Sequence, residues 1–208
     1  MSRIDNVIKT SIFFPFFVSV LSALLYAQQA PPPPDMAPDY FPKEWKEYVF
    51  KDDGVRFKFP VEPKRMDVMT GNIDPHPAHN YEHQSFMFLQ LVVSNWPADT
   101  DLEASNNGLN NGRDGMLASI KDREPKILQE DDIKIDGHNG KFIKFETNNG
   151  ILARVNVFAV KNKLYIAAVY LMKGRRHGVN WENDFEIPAM GFLDSIHVIT
   201  AGEPEVKN

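Results

Sequence analysis

Between Lys126 and Met172 the chain alternates apolar and polar residues with a period close to two. Three short breaks interrupt it: Asp136-Gly137, Asn148-Asn149-Gly150 and Lys161-Asn162-Lys163. A period of two places successive side chains on opposite faces of an extended strand, and turns this short can join only antiparallel neighbours. Parallel strands need a crossover of about a dozen residues, and no interval here supplies one. Segments 126–135, 141–147, 151–160 and 164–172 are therefore predicted as strands of a mainly antiparallel sheet.

The same signal recurs earlier. Val55-Arg56-Phe57-Lys58-Phe59 follows Asp53-Gly54 and stops at Pro60, which predicts a hairpin with 45–50 as its first arm. A further strand is predicted over 81–95, built on the apolar run from Phe86 to Val93 and ended by Trp96-Pro97. Two segments depart from the pattern. Residues 101–123 carry Leu109, Met116, Leu117 and Ile120 at near-helical spacing. Gly108, Gly112 and Gly115 each cost a helix about 0.5–1 kcal/mol, so the first half is predicted as loop and the second as helix. Residues 181–193 form the other candidate helix, in which Pro188 must sit in the first turn or break it. Strands, a helix, more strands and a closing helix define an α+β domain.

Before this domain the composition changes. Residues 11–27 read SIFFPFFVSVLSALLYA without a charge, preceded by Arg3 and Lys9 and followed by Gln28-Gln29-Ala30. A basic start, an apolar stretch and small residues at its end describe a secretory signal peptide, with cleavage expected after Ala27, or after Ala30 as second choice. An uncleaved signal anchor is the competing reading, and it would be the chain's one link to a membrane. Residues 28–39 contain Pro31-Pro32-Pro33-Pro34 and read as a semi-rigid linker. The domain is expected over 40–199 and a flexible polar tail over 200–208. The expected location is extracytoplasmic, periplasmic or secreted.

Charge and sulfur narrow the chemistry. Losing Arg3, Lys9 and Asp5 leaves 21 basic against 27 acidic residues, a net of −6, which argues against a nucleic-acid partner. The chain has no cysteine, so disulfides, thiolate metal sites, a cysteine nucleophile and lipidation at an N-terminal cysteine are all excluded.

Several motifs together carry a resemblance. An alternating strand ends in Phe59-Pro60-x-x-Pro63, and Arg113-Asp114-Gly115 lies in the helix. Ile135-Asp136-Gly137-His138-Asn139-Gly140-Lys141 spans a turn, followed by Leu164-Tyr165 and the closing Phe192-Leu193-Asp194-Ser195-Ile196. This order resembles the PsbP-like family, named after an extrinsic lumenal subunit of photosystem II, over about Trp45 to Val198. The resemblance implies an antiparallel sheet flanked by helices on both sides, an α/β/α sandwich. It also implies a role in binding or assembly more often than in catalysis.

Candidate sites follow from residue chemistry. His76, His79 and His83 fall within eight positions, and neutral imidazoles at that density can capture zinc, copper or nickel. Pro75 and Pro77 place the first part of this stretch in a predicted loop. Lys173, Arg175, Arg176 and His177 form a basic cluster between the last long strand and the closing helix, suited to an anionic ligand or an acidic partner segment. Asp99, Asp101 and Glu103 lack the Gly and the closing Glu of a calcium loop. Asp194, Ser195 and His197 have the residue types of a hydrolytic triad, but a triad is assembled in space and not along the chain. The sequence thus predicts an exported, non-catalytic, monomeric cell-envelope domain that needs no cofactor and binds a protein or a small ligand. The alternative is a metal-assisted hydrolase using His76, His79 and His83.

Overall fold

The computed structural model describes residues 45–70, 76–84, 87–102, 106–172 and 185–199. The predicted signal, the whole linker, the C-terminal tail and the basic cluster lie outside them.

Strands β1 (Lys46–Phe50) and β2 (Val55–Phe59) form the expected hairpin, and β10 (His197–Val198) pairs with β2 to complete a three-stranded sheet. The larger sheet has seven strands. In chain order these are β3 (Lys64–Thr70), β4 (His76–Gln84), β5 (Met87–Asn95), β6 (Lys126–Ile135), β7 (His138–Glu146), β8 (Ile151–Val160) and β9 (Lys163–Met172). They lie side by side as β3-β4-β5-β9-β8-β7-β6, and every pairing is antiparallel. The turn between β6 and β7 shows why short breaks were informative: Asp136 (φ 49°) and Gly137 (φ 89°) both lie in the left-handed region, as a two-residue hairpin turn of matching twist requires.

Three expectations need correction. The stretch 81–95 is not one strand but parts of two, β4 and β5, paired as a hairpin with Gln84 opposite Phe88. Residues 76–79 are strand, not loop. Pro77 is tolerated because β4 pairs with β5 only from Ala78 onward, so Pro77 has a strand on one side alone and its missing N–H breaks no ladder there. Finally, helix α1 (Asn106–Ser119) runs straight through its glycines. A Cβ on Gly112 would meet Leu164 and Val157 side-chain atoms at 3.0–3.2 Å. The glycine lets the helix lie close on the sheet, and the tighter packing offsets its intrinsic cost.

The two faces of the large sheet are covered differently. On one, Leu109 and Met116 of α1, with Ile120 just after it, pack on Val155, Val157, Ile166 and Ala168. The other is covered chiefly by the small sheet, with the short helix α2 (Ile187–Leu193) beside it, where the resemblance implied a helical flank. Its core is aromatic: Phe57 and Phe59 meet Phe192 edge-on, and Phe158 stacks on Tyr165 with centroids 4.6 Å apart. Of the two places left open for Pro188, the structure shows the first turn of a helix, α2, that starts at Ile187. No helix among the described residues is long and apolar enough to cross a membrane.

Candidate functional site

Strand β8 is buried along nearly its whole length, as befits a central strand. Its even-numbered positions face the layer formed by the small sheet and α2, and between Leu152 and Phe158 they carry two polar residues, Arg154 and Asn156. Arg154 is 1% exposed. Its Nε donates to Glu186 Oε2 at 3.0 Å, a second guanidinium nitrogen reaches Glu186 Oε1, and a third donates to the Ala153 carbonyl at 3.0 Å. The guanidinium also lies 5.2 Å over the Phe185 ring, and Lys144 adds a second cation to Glu186 at 3.2 Å. Burial alone would raise the Glu186 carboxyl; the hydrogen bonds and charges of Arg154 and Lys144 outweigh it and hold the group below its ordinary range. The chain entering α2 is thereby fastened to the sheet.

Asn156 is different. It is 5% exposed, and its carbonyl oxygen is buried without a hydrogen-bond partner among the described residues. It lines a cleft of about 510 Å³ between the β6–β8 end of the large sheet and α2, within the size range of small-molecule sites. Ile135, Leu193 and Ile196 are the buried apolar residues beside Asn156, and Ile133, Phe142 and Met190 form half-buried walls. The rim is polar, with Lys134, Asp136 and His197 prominent. Asp136 fixes this rim: its carboxylate accepts the Val198 N–H at 2.7 Å and contacts His197 Nδ1 at 3.2 Å, tying the β6–β7 turn to β10.

A second polar group sits elsewhere on the same face. Asp53, fully buried, follows β1 and accepts hydrogen bonds from Tyr81 Oη and, at 2.5 Å, from His79 Nδ1. His79 Nε2 in turn accepts from Arg65 at 2.9 Å, and the Tyr165 hydroxyl donates to the Asp53 carbonyl at 2.7 Å. Burial, reinforced by the hydrogen bond and charge of Asp53, pushes the Tyr81 phenol well above its ordinary value. Asp53 therefore joins the small sheet to β4 and β9 of the large one.

The predicted site residues separate accordingly. His79 belongs to the Asp53 network, with both ring nitrogens engaged by protein groups. His76 and His83 lie in β4, but their side chains are outside those described. Among the described residues no group of three or more His, Asp or Glu is placed to hold a metal ion. Lys173, Arg175, Arg176 and His177 fall in the segment 173–184, outside the described residues. Ser195 is not part of a triad: its hydroxyl donates to the Phe192 carbonyl at 2.7 Å and accepts the Lys58 N–H at 2.9 Å, while His197 turns to Asp136. Sequence reasoning missed Arg154 and Asn156. The signal was present in Ile151-Leu152-Ala153-Arg154-Val155-Asn156-Val157-Phe158, where two polar residues two apart share one face of an otherwise apolar strand.

The fold is PsbP-like. The solution structure of cyanobacterial PsbP (CyanoP) from Synechocystis sp. PCC 6803 superposes with a TM-score of 0.53 at 16% identity, covering 74% of this chain and 92% of that one. A Pseudomonas aeruginosa protein of unknown function, PA94, is also similar, at a TM-score of 0.35 and 11% identity over 77% of this chain and 99% of its own. A Bacteroides thetaiotaomicron protein gives 0.41 and 8% over 76% of this chain and 50% of its own. No family model and no curated protein matches the sequence.

Proposed function

We propose that this chain is an exported, non-catalytic accessory module of the cell envelope that binds its partner at the cleft between β6–β8 and α2. The observation that carries this reading is the cleft itself, lined by a carboxamide whose buried oxygen no protein group satisfies among the described residues. A protein interior leaves few such groups, because each costs about 1–3 kcal/mol. The accessory role has separate support: the fold is shared with cyanobacterial PsbP, and the sequence begins with the pattern of a signal peptide.

Site-specific photo-crosslinking tests the reading in the full chain within its native host. A benzophenone amino acid replacing Met190, which lines the cleft, is expected to give an adduct of discrete mass; the same group at exposed Val61, outside the cleft lining, serves as control. Equal background labelling at the two positions would remove the cleft as the binding site. Fractionation with intact-mass measurement tests export, the expected mature form lacking residues 1–27.

A further inference from the structure

We infer that the cleft selects a small molecule with an apolar body and an edge on which a hydrogen-bond donor and an acceptor stand side by side, such as a primary amide, a lactam or an amide-bearing heterocycle. The inference rests on the reading of the cleft as the binding site and adds the chemistry of the occupant.

Three observations lead to it. First, the volume of about 510 Å³ falls in the range of small-molecule sites. Second, the buried residues that line the cleft beside Asn156, namely Ile135, Leu193 and Ile196, are apolar, as are half-buried Phe142 and Met190, so the body of the ligand gains by leaving water. Third, the polar side chain among them is the Asn156 carboxamide, with its oxygen unpartnered among the described residues. A carboxamide offers one acceptor and two donors on a planar end, and a ligand edge carrying donor and acceptor meets it in a paired, two-bond geometry. That pairing is indifferent to which way the amide is turned. An ester or a hydrocarbon cannot reproduce it.

The ionic rim does not supply an alternative selection. Lys134 donates to the neutral Asn139 Oδ1 at 3.1 Å, and Asp136 is held by Val198 and His197. The Arg154 guanidinium, two residues along β8, is consumed by Glu186. Lys134, Asp136 and Asp194 all stand exposed at the rim, where water and salt screen them, so the selection inside the cleft falls to the neutral carboxamide.

The test uses the full chain and three matched probes: 2-naphthamide, methyl 2-naphthoate and naphthalene, with affinities measured by ligand-observed NMR or calorimetry. The amide is expected to bind the native chain at least tenfold more tightly than the ester. Asn156→Leu, which removes the carboxamide at nearly constant volume, should bring that ratio close to one while retaining weak binding of all three. Met190→Trp, which fills the cleft, should abolish binding of each. Asn156→Val serves as a second variant should the leucine perturb folding, with thermal melting as the control for both. If the native chain binds amide and ester equally and Met190→Trp still abolishes both, the proposed ligand class is wrong and the cleft survives as a site. If Met190→Trp leaves binding intact, or no probe binds at millimolar concentration, the inference falls outright, and the crosslinking at Met190 reports separately on the cleft.

Discussion

Asp53 and Asn156 lie on the same side of the large sheet and are buried to almost the same degree, 0% and 5% exposed, yet their surroundings are opposite. Asp53 has donors from Tyr81 and His79 on its carboxylate and from Tyr165 on its backbone carbonyl. Asn156 has a buried acceptor that nothing among the described residues satisfies, and the residue lines a cleft. A buried polar group with every bond made is the sort of contact that holds two layers in one relative position. A buried polar group left wanting destabilises the fold unless something outside it completes the bond. The difference separates architecture from site more clearly than residue type does, since an aspartate and a histidine in contact would ordinarily attract suspicion of catalysis.

The sharpest way to break this contrast is at Asp53. Replacing it with Ala leaves the Tyr81 hydroxyl and the His79 imidazole without their acceptor in a buried setting, at about 1–3 kcal/mol for each orphaned group. The expected loss is about 4 kcal/mol, seen as a fall in melting temperature on the order of 10 °C. Asp53→Asn keeps the shape and one acceptor oxygen and should lose roughly half as much. A variant melting within about 2 °C of the native chain, on the order of 0.5 kcal/mol, would mean that the network is not a structural joint.

A smaller effect is expected at Arg154, whose partner Glu186 is partly open to solvent. Arg154→Met strips most of the compensation from Glu186 while Lys144 remains, and a cost of about 2 kcal/mol is expected. Replacing both members, Arg154→Met with Glu186→Met, should recover most of it, because an apolar pair carries no desolvation penalty. The sign of the pH dependence follows from the lowered folded-state value of Glu186. A depressed carboxyl value stabilises the fold in full above its unfolded value of 4.5, and that contribution is lost as pH falls through the lower folded value. Melting curves of the native chain should therefore drop on acidification below about pH 4.5 more steeply than those of the double variant. Parallel curves would show that Glu186 is not responsible.

How much of this was legible beforehand differs between scaffold and site. The β6–β9 meander could be read because each strand was bounded by a turn whose residues announce themselves, as Asp136-Gly137 does. Strand β3 escaped because it lies at the sheet edge, where Lys64, Arg65 and Asp67 are exposed and little alternation survives. Helix α1 was misjudged at its start because local propensity counts the cost of Gly112 but not the close approach of Leu164 and Val157 that requires it. The histidine cluster looked promising because spacing along the chain was visible and Asp53, 26 residues away from His79, was not. Asn156 was visible as a residue, yet nothing in a sequence tells whether a buried amide has found partners.

The smallest expected change is the most discriminating. Asn156→Leu removes an unsatisfied carbonyl and adds apolar surface at almost unchanged volume, so the melting temperature should hold or rise by roughly 1–3 °C, equivalent to about 0.5–1 kcal/mol. Stabilisation on removing a residue is the signature of a group retained for function at some expense to the fold. The same substitution type at Asp53, Asp53→Leu, should fall with the other Asp53 variants, so one pair of melting curves compares the two regions directly. If Asn156→Leu instead costs as much as Asp53→Asn, the carboxamide has structural partners after all, and the distinction between a closed joint and an open site collapses along with the ligand chemistry drawn from it.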